Sequence, residues 1–81
     1  MRYEWAVRPM AHMAKDAHNK AAEHHENAAR VHRMAAEQYE KGDHILGKKL
    51  SATAHQHSCK SHEASQAAHD KSGQLRNQQL E

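Results

Sequence analysis

Met13-Ala-Lys-Asp-Ala-His-Asn19, Lys20-Ala-Ala-Glu-His-His-Glu26, Asn27-Ala-Ala-Arg-Val-His-Arg33 and Met34-Ala-Ala-Glu-Gln-Tyr-Glu40 are four consecutive heptads, and their columns decide the fold. One column is all alanine (Ala14, Ala21, Ala28, Ala35) and is labelled a. Column d holds Ala17, His24, Val31 and Gln38, and column e holds His18, His25, His32 and Tyr39. Apolar or small residues recurring every seventh position mark a helix, because a strand would need period two.

The pattern resumes after Gly42-Asp43. Gly47, Ala54, Ser61 and Ala68 form the small a column of the second segment, and Lys48, His55, His62 and His69 its b column. Leu50, His57, Ala64 and Lys71 form d, and Ser51, Ser58, Ser65 and Ser72 form e. Pro9 suits the first turn of a helix, where its missing N–H costs nothing. Gly42 can adopt the left-handed conformation that ends a helix, and Asp43 can cap the next. Gly73 and the polar residues after it predict an end near Ser72. The expected organisation is an N-terminal arm over 1–8, a hairpin over 9–73 (helix 9–41, turn 42–43, helix 44–72) and a polar tail over 74–81. Both helices come out at about 45–50 Å, and a turn this short makes them antiparallel.

Antiparallel coiled helices set a positions against d positions, in layers whose residue numbers total 85. Ala35 meets Leu50, Val31 meets Ala54, Ala28 meets His57, His24 meets Ser61, Ala21 meets Ala64 and Ala17 meets Ala68, so most large side chains face small ones. The fold class is therefore all-α: a coiled-coil-like two-helix hairpin with an alanine-rich seam. Bulky residues gather toward the turn (Val31, Met34, Tyr39, Ile45, Leu46, Leu50) and the termini (Tyr3, Trp5, Val7, Met10, Met13).

An alanine seam stabilises little, since each buried CH₂ contributes about 0.8 kcal/mol, and 81 residues bury too little surface for comfort. The chain has no Phe, and one cysteine cannot staple a monomer. Helix 1 also carries Ala22, Ala29 and Ala36 at b, outside the seam. A helix with so wide an apolar arc usually faces more than one neighbour. Docking of a second hairpin over the e and b columns is expected, giving a homodimeric four-helix bundle; a higher homo-oligomer, or alanine serving only helix propensity on an exposed face, is the alternative.

Twelve basic and ten acidic residues leave a formal net charge of +2 with the signs interspersed, which is no nucleic-acid footprint. The ten histidines matter more. Histidine ordinarily titrates near pH 6.5, so acid is expected to loosen any assembly that buries them. Met1-Arg2-Tyr3-Glu4-Trp5 lacks the apolar core of a signal peptide, and nowhere do about 18 apolar residues run together, so a soluble, cytoplasmic protein is expected. Helix 1 offers alanine with balanced charge, not the basic face of a membrane-surface helix.

Residues of one histidine column lie about 10.5 Å apart, too far to share a metal. Two groupings escape that limit. His55, Cys59 and His62 occupy i, i+4 and i+7 on one side of helix 2, a nitrogen–sulfur set suited to Zn, Cu or Ni if Glu63 or a partner chain adds a ligand. His24 and His57 occupy d positions in adjacent layers and, with His25 or the copies in a dimer, form a candidate nitrogen-rich centre. The plainer reading makes these imidazoles polar packing bonded to Ser58, Ser61, Ser65 or water. Enzymatic chemistry is not expected: no His follows a Glu by three, as di-iron bundles require, Cys59 has no orienting group or oxyanion pocket, and no glycine-rich loop could cradle a phosphate or small-molecule substrate.

Lys20 to His44, with its Ala-Ala-Glu-His-His-Glu and Ala-Ala-Arg-Val-His-Arg units, resembles a group of small, uncharacterised bacterial proteins rich in His and Ala. The resemblance covers residues 14 to 69 and weakens at Ile45-Leu46-Gly47 and in the serine-rich second helix. It implies helices and a bacterial source and carries no site residues. Function is thus expected to be either divalent-metal binding through histidines in a self-associating bundle, or a metal-free structural or interaction module with pH-sensitive histidine packing.

Overall fold

The computed structural model describes the backbone of residues 4–80 and the side chains of residues 11–73. Two helices, α1 (Glu4–Glu40) and α2 (His44–Leu80), each 37 residues long, lie against one another as an antiparallel hairpin. The rod measures 62 × 13 × 12 Å. Tyr3 and the side chains of Trp5, Val7 and Met10 lie outside the described residues, so the expected terminal cluster is visible only from Met13 inward.

The turn follows from two residues. Gly42 has a φ of +86°, the left-handed region that glycine enters without a Cβ penalty. This lets its N–H reach the Tyr39 carbonyl (3.0 Å) and the Asp43 N–H reach the Gln38 carbonyl (2.9 Å), the paired bonds of a Schellman ending. Asp43 then opens α2, its Oδ1 accepting the Leu46 N–H at 3.0 Å. A Gly42→Ala variant is expected to lose about 1–2 kcal/mol, the cost of holding an L-residue left-handed, read as a lowered urea midpoint with an unchanged slope.

The helices run further than expected. α1 begins at Glu4, which places Pro9 inside it and not in its first turn; the ring nitrogen simply forgoes the bond to the Trp5 carbonyl, within two turns of the start. At the other end α2 passes Gly73 and continues to Leu80, because Gln, Leu and Arg are good helix formers and a single glycine costs only about 1 kcal/mol. The described part of the expected arm and tail is thus helical, and the two helices end matched in length.

The seam also differs from an even a/d interface. Every described a position of both helices is buried: Ala14, Ala21, Ala28 and Ala35 on α1, Gly47, Ala54, Ser61 and Ala68 on α2. Of the d positions only Val31 is buried, while Ala17, His24, Gln38, Leu50, His57, Ala64 and Lys71 are half-buried. Small a residues bring the rods together along a single line, and the longer d side chains cannot fit between them. Gly47 shows how tight that line is near the turn. The Tyr39 ring lies 3.0 Å from where a Cβ on Gly47 would stand, and packs beside His44 with ring centroids 5.8 Å apart. Near the turn Met34, Tyr39, Ile45 and Leu46 stay exposed, so the apolar residues collected there are not sealed within one hairpin.

Candidate functional site: a histidine–serine flank

With a at the centre of the seam, the wheel places e on one side of it and d on the other. The two e columns therefore meet. His18 Nε2 lies 2.9 Å from Ser72 Oγ, His32 Nε2 lies 2.9 Å from Ser58 Oγ, and His25 Nε2 bonds Ser65 Oγ between them. The residue numbers of each pair total 90, whereas layers totalling 85 would bring e residues together at 83, His25 beside Ser58, so the rungs set a register other than the expected a-against-d layers. One heptad of slippage would break at least one rung.

Each rung tolerates both charge states of its imidazole. A serine hydroxyl donates to a bare ring nitrogen or accepts from a protonated one, so the rung survives acid. Removing all three hydroxyls (Ser58→Ala, Ser65→Ala, Ser72→Ala) is expected to cost about 1–2 kcal/mol, because such bonds near solvent net at the low end of the usual range. Urea unfolding followed by helicity measures it.

The b columns complete the flank. Across its width run Lys15, Ala22, Ala29 and Ala36, then the histidines of α1, then the serines of α2, then Lys48, His55, His62 and His69. Besides His44, which precedes Ser51 by one heptad, six imidazoles lie here, and among the described residues no carboxylate occupies an e or b position. Asp16, Glu23, Glu37, Glu63 and Asp70 fall at c, and Glu26 and Glu40 at f, so the acidic groups are turned to the rim and beyond. All six flank histidines are exposed.

The residues singled out as metal ligands are not gathered. Among the described residues no three His, Cys, Asp or Glu side chains are grouped so as to hold a metal ion. Of the outer set, His55 Nε2 and Cys59 Sγ approach to 3.7 Å, one helical turn apart, with Cys59 an exposed free thiol. His62 belongs to neither that contact nor a rung. On the other flank His24 lines an open groove of about 320 Å³ with Met13, Ala17, Lys20 and Ala64, and His57 is half-buried beyond it. The serines expected to satisfy these two have other partners. Ser58 and Ser65 bond His32 and His25, and Ser61 Oγ donates to the His57 carbonyl at 2.7 Å. His25 thus acts as a rung. His18, His32 and Ser72 join the flank with no sequence signal to set them apart, since any two period-seven columns on antiparallel helices have a constant total.

Fold and flank together define a class: an alanine-seamed helical hairpin with a polar histidine face that carries no carboxylate among the described residues. Compared with protein-family models, curated proteins and solved structures, the chain matches none. Among the described residues no helix is long and apolar enough to cross a membrane.

Proposed function

We propose that the protein is a self-associating structural module, in which the e/b flank is the surface that pairs and its histidines are polar packing that acid weakens by protonating them. The observation that carries this reading is the flank itself: over residues 11–73 it is alanine, serine and imidazole side chains, with Lys15 and Lys48 among them, and no carboxylate of those residues stands at e or b. Neutral imidazole and alanine are inexpensive to cover, whereas a charged face is not. Exposed Tyr39 at e and Ile45 at the neighbouring f position add apolar surface at the turn end of this flank that one hairpin leaves in water. Sedimentation at pH 8 is the test. A dimer or closed higher oligomer is expected, and a monomer at tens of micromolar would overturn the reading.

One contact favours a second reading, in which Zn, Cu or Ni is held through histidines. His55 and Cys59 already stand 3.7 Å apart, and the same pair from a second copy would complete a four-ligand nitrogen–sulfur set. Titration with Zn²⁺, Cu²⁺ and Ni²⁺ by calorimetry separates the two. Stoichiometric uptake tighter than about micromolar, lost in Cys59→Ser, supports the metal; weaker uptake leaves packing alone.

A further inference from the structure

We propose that the pairing copy docks by a two-fold axis parallel to the rods, so that both turns lie at the same end of the bundle and each b-column histidine seats on a b-column alanine of the other copy. The inference rests on the self-association reading above and adds its geometry. Across the flank the columns run Ala, His, Ser, His. Turning a second copy about an axis along the rod reverses that order while keeping every residue at its own level. Alanine then faces histidine, and histidine faces serine, at every column.

The levels match as well as the columns do. Because the rungs total 90, Ala29 stands within about 1.5 Å of the level of His62, and the same offset relates Ala22 to His69 and Ala36 to His55. Three large side chains from each copy thus meet three small ones, and each e histidine lies opposite the other copy's e serine. The alternative two-fold, crossing the rods at right angles within the interface, keeps the column order. It would set alanine on alanine and imidazole on imidazole, leaving gaps on one side and crowding like groups on the other. Alternating large and small residues across an interface is the arrangement that fills space.

Size agrees with a specific contact. The flank over residues 15–39 and 48–72, about 38 Å long on a rod 13 Å wide, offers about 500 Å² per copy, the low end of what a specific protein interface buries on each partner. An isologous pair of this kind closes on itself.

Dipolar electron resonance tests the axis. In a Cys59→Ser background, a nitroxide on Ile45→Cys, a position 75% exposed beside the turn, reports the distance between the two turns. The proposed axis puts the labels about 20–35 Å apart, a bundle's width. A separation near the 62 Å rod length would overturn the axis while keeping the dimer, and absence of any dipolar signal at tens of micromolar would overturn self-association itself. A size exchange supplies a second readout. Ala29→His should raise the dimer dissociation constant at least tenfold at pH 8, and adding His62→Ala should restore it; failure of that rescue would sink the seating of His62 on Ala29. Helicity of these variants is expected to be unchanged, because neither residue lies in the buried seam.

Discussion

Replacing Ala54 by leucine will destabilise the hairpin, although leucine is the more hydrophobic residue. Ala54 is 0% exposed and sits on the line where the two helices touch, opposite a segment whose own buried residues are Ala28, Val31 and Ala35. In a leucine-seamed coil an added methylene would deepen the core. Here three extra carbons would have to enter a space set by alanine, and no large neighbour lies on that line to retreat. Overpacking of this kind costs about 1–3 kcal/mol in ordinary cores, and the upper end is expected where two helices rather than two side chains must separate. For a chain this small that is most of its stability, so the variant should lose much of its helicity at 25 °C as well as shifting its urea midpoint. Ala52→Leu, on the exposed outer face, is the control and should change stability by less than about 0.5 kcal/mol. An Ala54→Leu hairpin more stable than the parent would show that the seam is not close-packed.

On the proposed pairing over the e/b flank, the expected effect of acid is to separate the copies while leaving the hairpins helical. Docking over the flank covers His18, His25, His32, His55, His62 and His69, together with Lys15 and Lys48, and brings the same set from the second copy against them. The nearest carboxylates, Glu26 and Glu40, lie at the rim and offer no compensation within the face. Covering an imidazole against such neighbours favours its neutral form, so the assembled state binds fewer protons than the separated hairpins. Linkage then gives the sign: association is strongest above the ordinary histidine range and weakens as pH falls through it. Sedimentation at pH 8 and pH 5 reads the change. Each hairpin keeps its helicity because a serine hydroxyl can serve either charge state of its rung. Loss of helicity in step with dissociation would place the acid response in the hairpin rather than in the docking face.

The two predictions probe different links of one chain of cause. Alanine at every a position sets how near the rods approach. That approach brings the e columns within bonding reach and pushes the d column outward. Which imidazoles are rungs and which line a groove is thus a consequence of side-chain size elsewhere.

Period seven, the alanine column, Gly42 and Asp43 were enough, by themselves, to establish two antiparallel helices and their turn but not the register, in which the rungs total 90 and not the 83 that the expected layers would give. The helices and the turn were legible because each rests on a local property or a sum over many equivalent positions. Pro9 and Gly73 misled for the same reason: a local breaker costs about 1–3 kcal/mol, and neighbours on both sides can outweigh it. The partners of the serines were not readable in that way. Ser58 stands at a position from which His32 or His57 could be imagined within reach, and only the lateral offset of the two helices chooses His32. That offset is a property of the packed pair, set by the sizes of many a and d side chains acting together, and so the tertiary structure alone decided where the histidines go.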